Sequence, residues 1–157
     1  MWKKIKPYVI SIALALGVGG LSALLTANNM ELYSEIVQPP LAPPSWLFPV
    51  VWTILYILMG LSSAMIYKST DTPKMEINNT LTVYGINLFL NFFWSIIFFN
   101  MRAYLFAFIW LIALWVTILV MIIKFMRIKP LAGYLQFPYL LWVTFAGYLT
   151  LAIYILN

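Results

Sequence analysis

The chain reads as an all-α integral membrane protein, a bundle of five transmembrane helices, and three observations predict it. First, 64% of its 157 residues are apolar, 18% aromatic and only 8% charged, where a soluble domain holds roughly 45–50% apolar and about 25% charged residues. Second, the apolar residues gather into five runs of about 20 residues, each enough to cross a hydrocarbon core. Third, none of these runs alternates as a barrel strand must, and in hydrocarbon only helices or closed barrels satisfy the backbone. The five spans nearly exhaust the length, so residues 1–157 are expected to form a single membrane domain.

Helix one is expected at about 8–27, after Lys3, Lys4 and Lys6. A basic start and an apolar run resemble a signal peptide, but the run exceeds a usual signal core and is read as a retained helix. Gly17, Gly19 and Gly20, with Ala15 and Ala23, give it small residues that permit close helix packing. A first loop at about 28–45 carries Glu31, Glu35 and an isolated Tyr33. It runs into Gln38–Pro49, where Pro39, Pro40, Pro43, Pro44 and Pro49 stiffen the chain and forbid helix over most of the stretch.

Ser45 is the expected N-cap of helix two, at about 46–67, and Pro49 is tolerated in its first turn. Lys68 to Asn79 is the most polar stretch and is expected to be a loop. Helix three follows at about 80–99, with a tight turn around Asn100–Arg102, and helix four at about 103–123, closed by Lys124, Arg127, Lys129 and Pro130. Helix five is expected at about 131–156, with Pro138 bending it from within.

Composition also excludes functions. There is no histidine and no cysteine, which removes disulfides, thiol chemistry, Cys/His zinc sites and histidine acid–base catalysis. No cofactor and no metal site is expected. The net charge of +5 does not point to nucleic acid, because the basic residues gather at one membrane face. With five spans, Lys3, Lys4, Lys6, Lys68, Lys74, Lys124, Arg127 and Lys129 share one side and Arg102 alone stands on the other. By the positive-inside rule the N-terminus is cytoplasmic, the C-terminus outside, and the proline-rich loop on the outer face. The short N-terminal segment lacks an Arg/Ser-rich presequence, so a bacterial plasma membrane is expected. All charges lie near span ends, which argues against an ion pump or ion-coupled transporter.

What the spans carry instead is neutral and aromatic. Tyr84, Asn87, Asn91 and Trp94 follow i, i+3, i+7, i+10 spacing and share a face of helix three. An asparagine in hydrocarbon either pins helices together or offers a group to a ligand, and both readings stand for Asn87 and Asn91. Trp52, Tyr56 and Met59 share a face of helix two, and Trp142, Ala146 and Leu149 one of helix five. Interfacial belts explain Trp2 and Trp46. Trp52 and Trp142 lie deeper, as core packing or as the walls of an aromatic, uncharged pocket suited to a flat apolar ligand.

Three segments then carry a resemblance. Pro39-Pro-Leu-Ala-Pro-Pro-Ser-Trp-Leu-Phe-Pro-Val-Val-Trp-Thr-Ile-Leu-Tyr-Ile-Leu-Met-Gly60, Asn87-Leu-Phe-Leu-Asn-Phe-Phe-Trp-Ser-Ile-Ile-Phe-Phe99 and Pro138-Tyr-Leu-Leu-Trp-Val-Thr-Phe-Ala-Gly-Tyr-Leu149 resemble motifs of the translocator protein family, in order and over nearly the whole chain. That family is also called tryptophan-rich sensory protein or peripheral-type benzodiazepine receptor. The resemblance implies a five-helix bundle, often a homodimer, that binds porphyrins such as protoporphyrin IX and haem and isoquinoline or benzodiazepine-type ligands. Carried over by position, Trp52, Tyr56, Asn91, Trp94, Trp142 and Ala146 would line the pocket, with Asn87 on the same face and Tyr33 and Pro43 closing it from the first loop. Trp52 and Trp142 match the tryptophans implicated in light-dependent porphyrin breakdown by some bacterial relatives, so they are catalytic only if that activity exists. Leu41 stands where the family often has tryptophan or phenylalanine. Tyr148 and Tyr154 are followed by no Lys or Arg, so the animal cholesterol motif is incomplete and steroid transport is not expected.

The expectation is therefore a membrane receptor or transporter-like binder of tetrapyrroles in the bilayer, acting in porphyrin homeostasis or stress signalling. The alternatives are a photo-oxidative porphyrin-degrading enzyme and a structural interaction protein.

Overall fold

A computed structural model describes residues 1–29 and 31–157. Among the described residues five helices are long and apolar enough to cross a membrane, and the protein is an all-helical membrane bundle. They are α1 (Trp2–Thr26), α2 (Leu47–Tyr67), α3 (Lys74–Ser95), α4 (Tyr104–Ile128) and α5 (Phe137–Leu156). Short helical turns also stand at Ala27–Asn29 and Leu32–Glu35 in the first loop and at Pro130–Tyr134 in the fifth span.

Helix contacts close the bundle into a ring. α1 packs on α2 and α3, α3 on α4, and α4 on α5, while the Pro130–Tyr134 turn bridges α4 and α2. Lys68 Nζ donates to the Lys4 carbonyl at 2.9 Å and lies 4.9 Å over the Tyr8 ring. Asn29 Nδ2 donates to Asn100 Oδ1 at 2.7 Å at the other end. The helices thus alternate in direction, and the eight clustered cations all fall at one end, called here the lysine end.

Several element ends differ from the sequence expectation. α1 begins at Trp2 rather than 8, so Lys3, Lys4 and Lys6 form its exposed first turns; hydropathy marks where a helix enters the apolar layer, not where its hydrogen bonds begin. α3 begins at Lys74 rather than 80, because Pro73 (φ −56°, ψ 139°) is its N-cap and Glu76 sits in the first turn, favourable to the helix dipole. The polar Lys74–Asn79 stretch is helix, and the loop is only Lys68–Pro73. α4 runs to Ile128 rather than 123, with Arg127 in its last turn. Ser45 does not cap α2; that place falls to Trp46, with no side-chain cap bond.

The fifth span is broken rather than bent from within. Pro130–Tyr134 is one short helix, Leu135 and Gln136 form a turn, and α5 starts afresh at Phe137 with Pro138 in its first turn. A proline there lacks only an amide that had no helical partner, so the sequence places the break before it. At the opposite end α3 widens into a π-type turn over Ile96–Asn100 before the tight connection, where Arg102 takes φ 51°.

Close approach governs the α1–α2 contact. A Cβ on Gly60 would strike the backbone of Ile12, and one on Gly19 would strike the Tyr56 ring, while Gly17 and Gly20 face open space. Of the three glycines on helix one, Gly19 is thus the one in contact with the interior.

Candidate functional site

At the end away from the lysines the helices part around a cavity of about 270 Å³. α1 contributes Gly19, Ser22, Ala23 and Thr26; α2 contributes Phe48, Pro49, Trp52 and Tyr56. α3 and the turn after it supply Asn91, Trp94, Ser95, Phe98 and Phe99, and α5 supplies Ala146, Leu149, Thr150 and Ile153. Tyr33 and Ser45 reach it from the first loop. Among the described residues no charged side chain lines the cavity.

The wall is aromatic because the helix period brings these residues inward together. Trp52 meets Tyr56 at 5.7 Å between ring centroids and stands edge-on to Tyr139 at 6.2 Å. Trp94 stacks on Phe98 at 5.3 Å. Such spacings are those at which aromatic pairs gain beyond their buried area. The Trp94 indole N–H is buried without a hydrogen-bond partner among the described residues.

Beneath the cavity a chain of buried hydrogen bonds crosses the bundle. Tyr56 OH donates to Asn91 Oδ1 at 3.1 Å, and Asn91 Nδ2 donates to Tyr139 OH at 2.8 Å. Tyr139 OH donates to Asn87 Oδ1 at 2.9 Å, and Asn87 Nδ2 to Thr117 Oγ1 at 3.2 Å. Four helices are tied through one run of side chains. The two asparagines therefore divide. Asn87, fully buried and not on the cavity wall, pins helices, whereas Asn91 both pins helices and lines the cavity.

The first loop closes the cavity from above. Tyr33 is buried, stands edge-on to Phe48 at 5.1 Å, and its OH donates to the Pro43 carbonyl at 2.7 Å. Burial pushes its phenol pKa up from the ordinary value. Pro39, Pro40, Leu41 and Ala42 form a tight turn, with the Ala42 N–H donating to the Pro39 carbonyl at 3.2 Å and Leu41 at φ 70°. Two clasps hold the loop to α5. The Asn157 side chain accepts from the Val37 N–H at 3.0 Å and donates to the Val37 carbonyl at 3.1 Å, and Tyr148 OH donates to the Pro40 carbonyl at 2.6 Å.

Of the residues singled out in the sequence, Tyr33, Trp52, Tyr56, Asn91, Trp94 and Ala146 meet at the cavity. Pro43 stands behind Tyr33 as its hydrogen-bond partner. Trp142 is not on the wall; its ring packs edge-on against Phe48 at 5.8 Å, and Phe48 is. Tyr139 and Thr117 were missed as connectors. A tyrosine one residue after Pro138 in an apolar span needs a partner for its hydroxyl, and that requirement was the available signal. Among the described residues no cluster of His, Cys, Asp or Glu could hold a metal ion.

The sequence matches the model of the TspO/MBR family over residues 10–156. It is 38% identical to the tryptophan-rich protein TspO of Chlorobaculum tepidum over 100% of this chain and 99% of the relative. It is 33% identical to the tryptophan-rich protein TspO of Archaeoglobus fulgidus, covering 95% of each. The translocator protein of Bos taurus is 31% identical over 91% of this chain and 87% of its own. With motifs, bundle and whole-length relatives in agreement, the chain belongs to the TspO/MBR family.

Proposed function

We propose that the protein is a membrane receptor for flat, largely apolar tetrapyrroles such as protoporphyrin IX or haem, held between α1, α2, α3 and α5 beneath the first loop. One observation carries the reading: an uncharged aromatic cavity walled by Trp52, Tyr56 and Trp94 and roofed by Tyr33. Stacking supplies most of the affinity. Isoquinoline and benzodiazepine-type ligands, also planar and apolar, fit the same description.

The cavity's 270 Å³ is below the ~300–1,000 Å³ of pockets that enclose drug-sized ligands. A tetrapyrrole is admitted only if the first loop lifts, so that loop acts as a gate. Eight cations at one end against Arg102 at the other favour a cytoplasmic lysine end, which sets the gate on the outer face of a bacterial plasma membrane. The same reading gives the protein a role in tetrapyrrole homeostasis or stress signalling, with a homodimer as its assembly.

The test is a titration of intrinsic tryptophan fluorescence with protoporphyrin IX, repeated on Trp52→Phe. Saturable quenching at micromolar porphyrin, with affinity lowered severalfold in the variant, supports the reading. Unquenched emission together with an unchanged Trp52→Phe variant removes it. Illuminating the same complex separates binding from degradation: a new absorbing product that disappears in Trp52→Phe and Trp142→Phe identifies an enzyme.

A further inference from the structure

After Val37 the first loop runs down the flank of α5. Three contacts fix its course. Asn157 clasps Val37, Tyr148 OH donates to the Pro40 carbonyl at 2.6 Å, and Phe48, in the first turn of α2, stands 5.8 Å from the Trp142 ring. Successive points of the loop thus meet the chain of α5 at positions 157, 148 and 142. At ~1.5 Å per residue, Tyr148 lies roughly 12 Å below the end of that helix. From Leu149 to Leu156 α5 carries no charge, and its exposed side chains are Tyr154, Ile155 and Leu156. Tyr148 is itself exposed, within a span long and apolar enough to cross a membrane. The turn held by its hydroxyl therefore lies beside the lipid-facing flank of α5.

The turn has the composition of a segment that meets lipid. No charged residue stands between Glu35 and Lys68. Pro39, Pro40, Pro43 and Pro44 have no N–H to satisfy, and the Ala42 N–H donates to the Pro39 carbonyl. The Pro40, Pro43 and Pro44 carbonyls also accept, from Tyr148 OH, Tyr33 OH and the Leu47 N–H. Such satisfaction is what an apolar layer demands of a backbone. At the tip, Leu41 is 82% exposed, more than any other large apolar side chain among the described residues except Met1. Its φ of 70° is a conformation that a turn in water gives to glycine or asparagine. A leucine there bears backbone strain and holds its whole side chain away from the protein.

We propose that the Pro39–Ala42 turn is a bilayer anchor, with Leu41 inserted among phospholipid chains just beneath the headgroups, at the end of the bundle away from the lysines. The insertion continues the lipid-facing surface of α5, and at that depth the remaining backbone groups of the tip reach headgroup water. The loop is then fastened at three points, to Asn157, to Tyr148 and to the membrane itself. The anchor stands independently of what the cavity binds.

Because the chain has no cysteine, single-cysteine variants report one position each. Leu41→Cys carries a bimane label in phosphatidylcholine vesicles. Ile109→Cys, exposed on the α4 span, is the lipid reference, and Thr70→Cys, exposed in the Lys68–Pro73 loop, the water reference. Phosphatidylcholine bearing a doxyl group near the headgroup end of its chain should quench position 41 at least half as strongly as position 109. Iodide should quench it less than half as strongly as position 70. Weaker lipid quenching or stronger iodide quenching overturns the proposal, and so does a label shielded from both, which sets the turn against protein. Leu41→Asn gives a second test without a label. Asparagine suits φ 70° better than leucine but resists lipid, so the Val37 amide should exchange with solvent severalfold faster than in the parent in the same vesicles. Exchange at the parent's rate or slower, as relief of a strained leucine in water would give, overturns the anchor.

Discussion

Replacing Tyr139 by phenylalanine isolates the contribution of the cross-bundle hydrogen-bond chain. The ring is 1% exposed and stands edge-on to Trp52 at 6.2 Å, so Phe keeps the packing and removes only the hydroxyl. That hydroxyl accepts from Asn91 Nδ2 at 2.8 Å and donates to Asn87 Oδ1 at 2.9 Å. Its loss leaves two buried amides each short of a partner. A stranded buried group costs ~1–3 kcal/mol, but hydrogen bonds between membrane helices average only ~0.6 kcal/mol and reach ~1.7. The smaller figure governs, because the detergent-unfolded helices also find partners, and the expected loss is ~1–3 kcal/mol for the pair of bonds. At about 2–4 °C per kcal/mol for a chain of this length, Tyr139→Phe should melt several degrees below the parent. Thr144→Val is the control, since it removes an exposed hydroxyl that accepts from Trp115 Nε1, and it should shift the midpoint little. If Tyr139→Phe and Thr144→Val are indistinguishable, the amides re-pair and the chain does not hold the bundle together.

Further outcomes follow from the α1 contact and the first loop. Gly19→Ala should lose ~1–3 kcal/mol through overlap with the Tyr56 ring, whereas Gly17→Ala, facing open space, should be neutral or gain up to ~1 kcal/mol of helix propensity; chemical or thermal unfolding of the pair separates them. Asn157→Ala removes both hydrogen bonds to the Val37 backbone, so the Val37 amide should exchange with solvent faster and protoporphyrin should dissociate faster, read by hydrogen exchange and stopped-flow fluorescence. The Tyr33–Pro43 bond adds a pH dependence. Burial raises the Tyr33 pKa, so the neutral, donating phenol is favoured in the closed loop. That stabilisation is complete below the ordinary tyrosine value near ~10 and disappears as pH rises through the raised folded value. Ligand dissociation should therefore accelerate only in strongly alkaline solution, and Tyr33→Phe should flatten the profile.

The bundle was legible in the sequence because hydropathy and the helical period act locally. The Asn91–Trp94 face follows from spacing alone, and its inward direction from the cost of an amide in lipid. Three things needed the structure. Lys74–Asn79 looks like a loop because polar residues are common both in loops and in helical turns that project beyond the apolar layer. Trp142 shares a helix face with Ala146, yet Phe48 from α2 screens its ring, and screening by another helix leaves no mark on the sequence of α5. The break at Leu135–Gln136 depends on Pro138 being read as the start of a helix rather than a fault inside one. Tyr139, which joins Asn91 to Asn87, was visible as a residue but not as a connector, since its partners lie 48 and 52 positions away.

A structure of the protein with protoporphyrin IX bound decides whether the cavity beneath the first loop is the ligand site. The macrocycle is expected against Trp52 and Trp94 in the cavity between α1, α2, α3 and α5, with Tyr33 and Pro43 displaced outward and the Asn157–Val37 clasp opened. A porphyrin seated instead in the shallow outer groove between α4 and α5, beside Phe108, Trp115 and Tyr148, with the first loop still clasped, would contradict it.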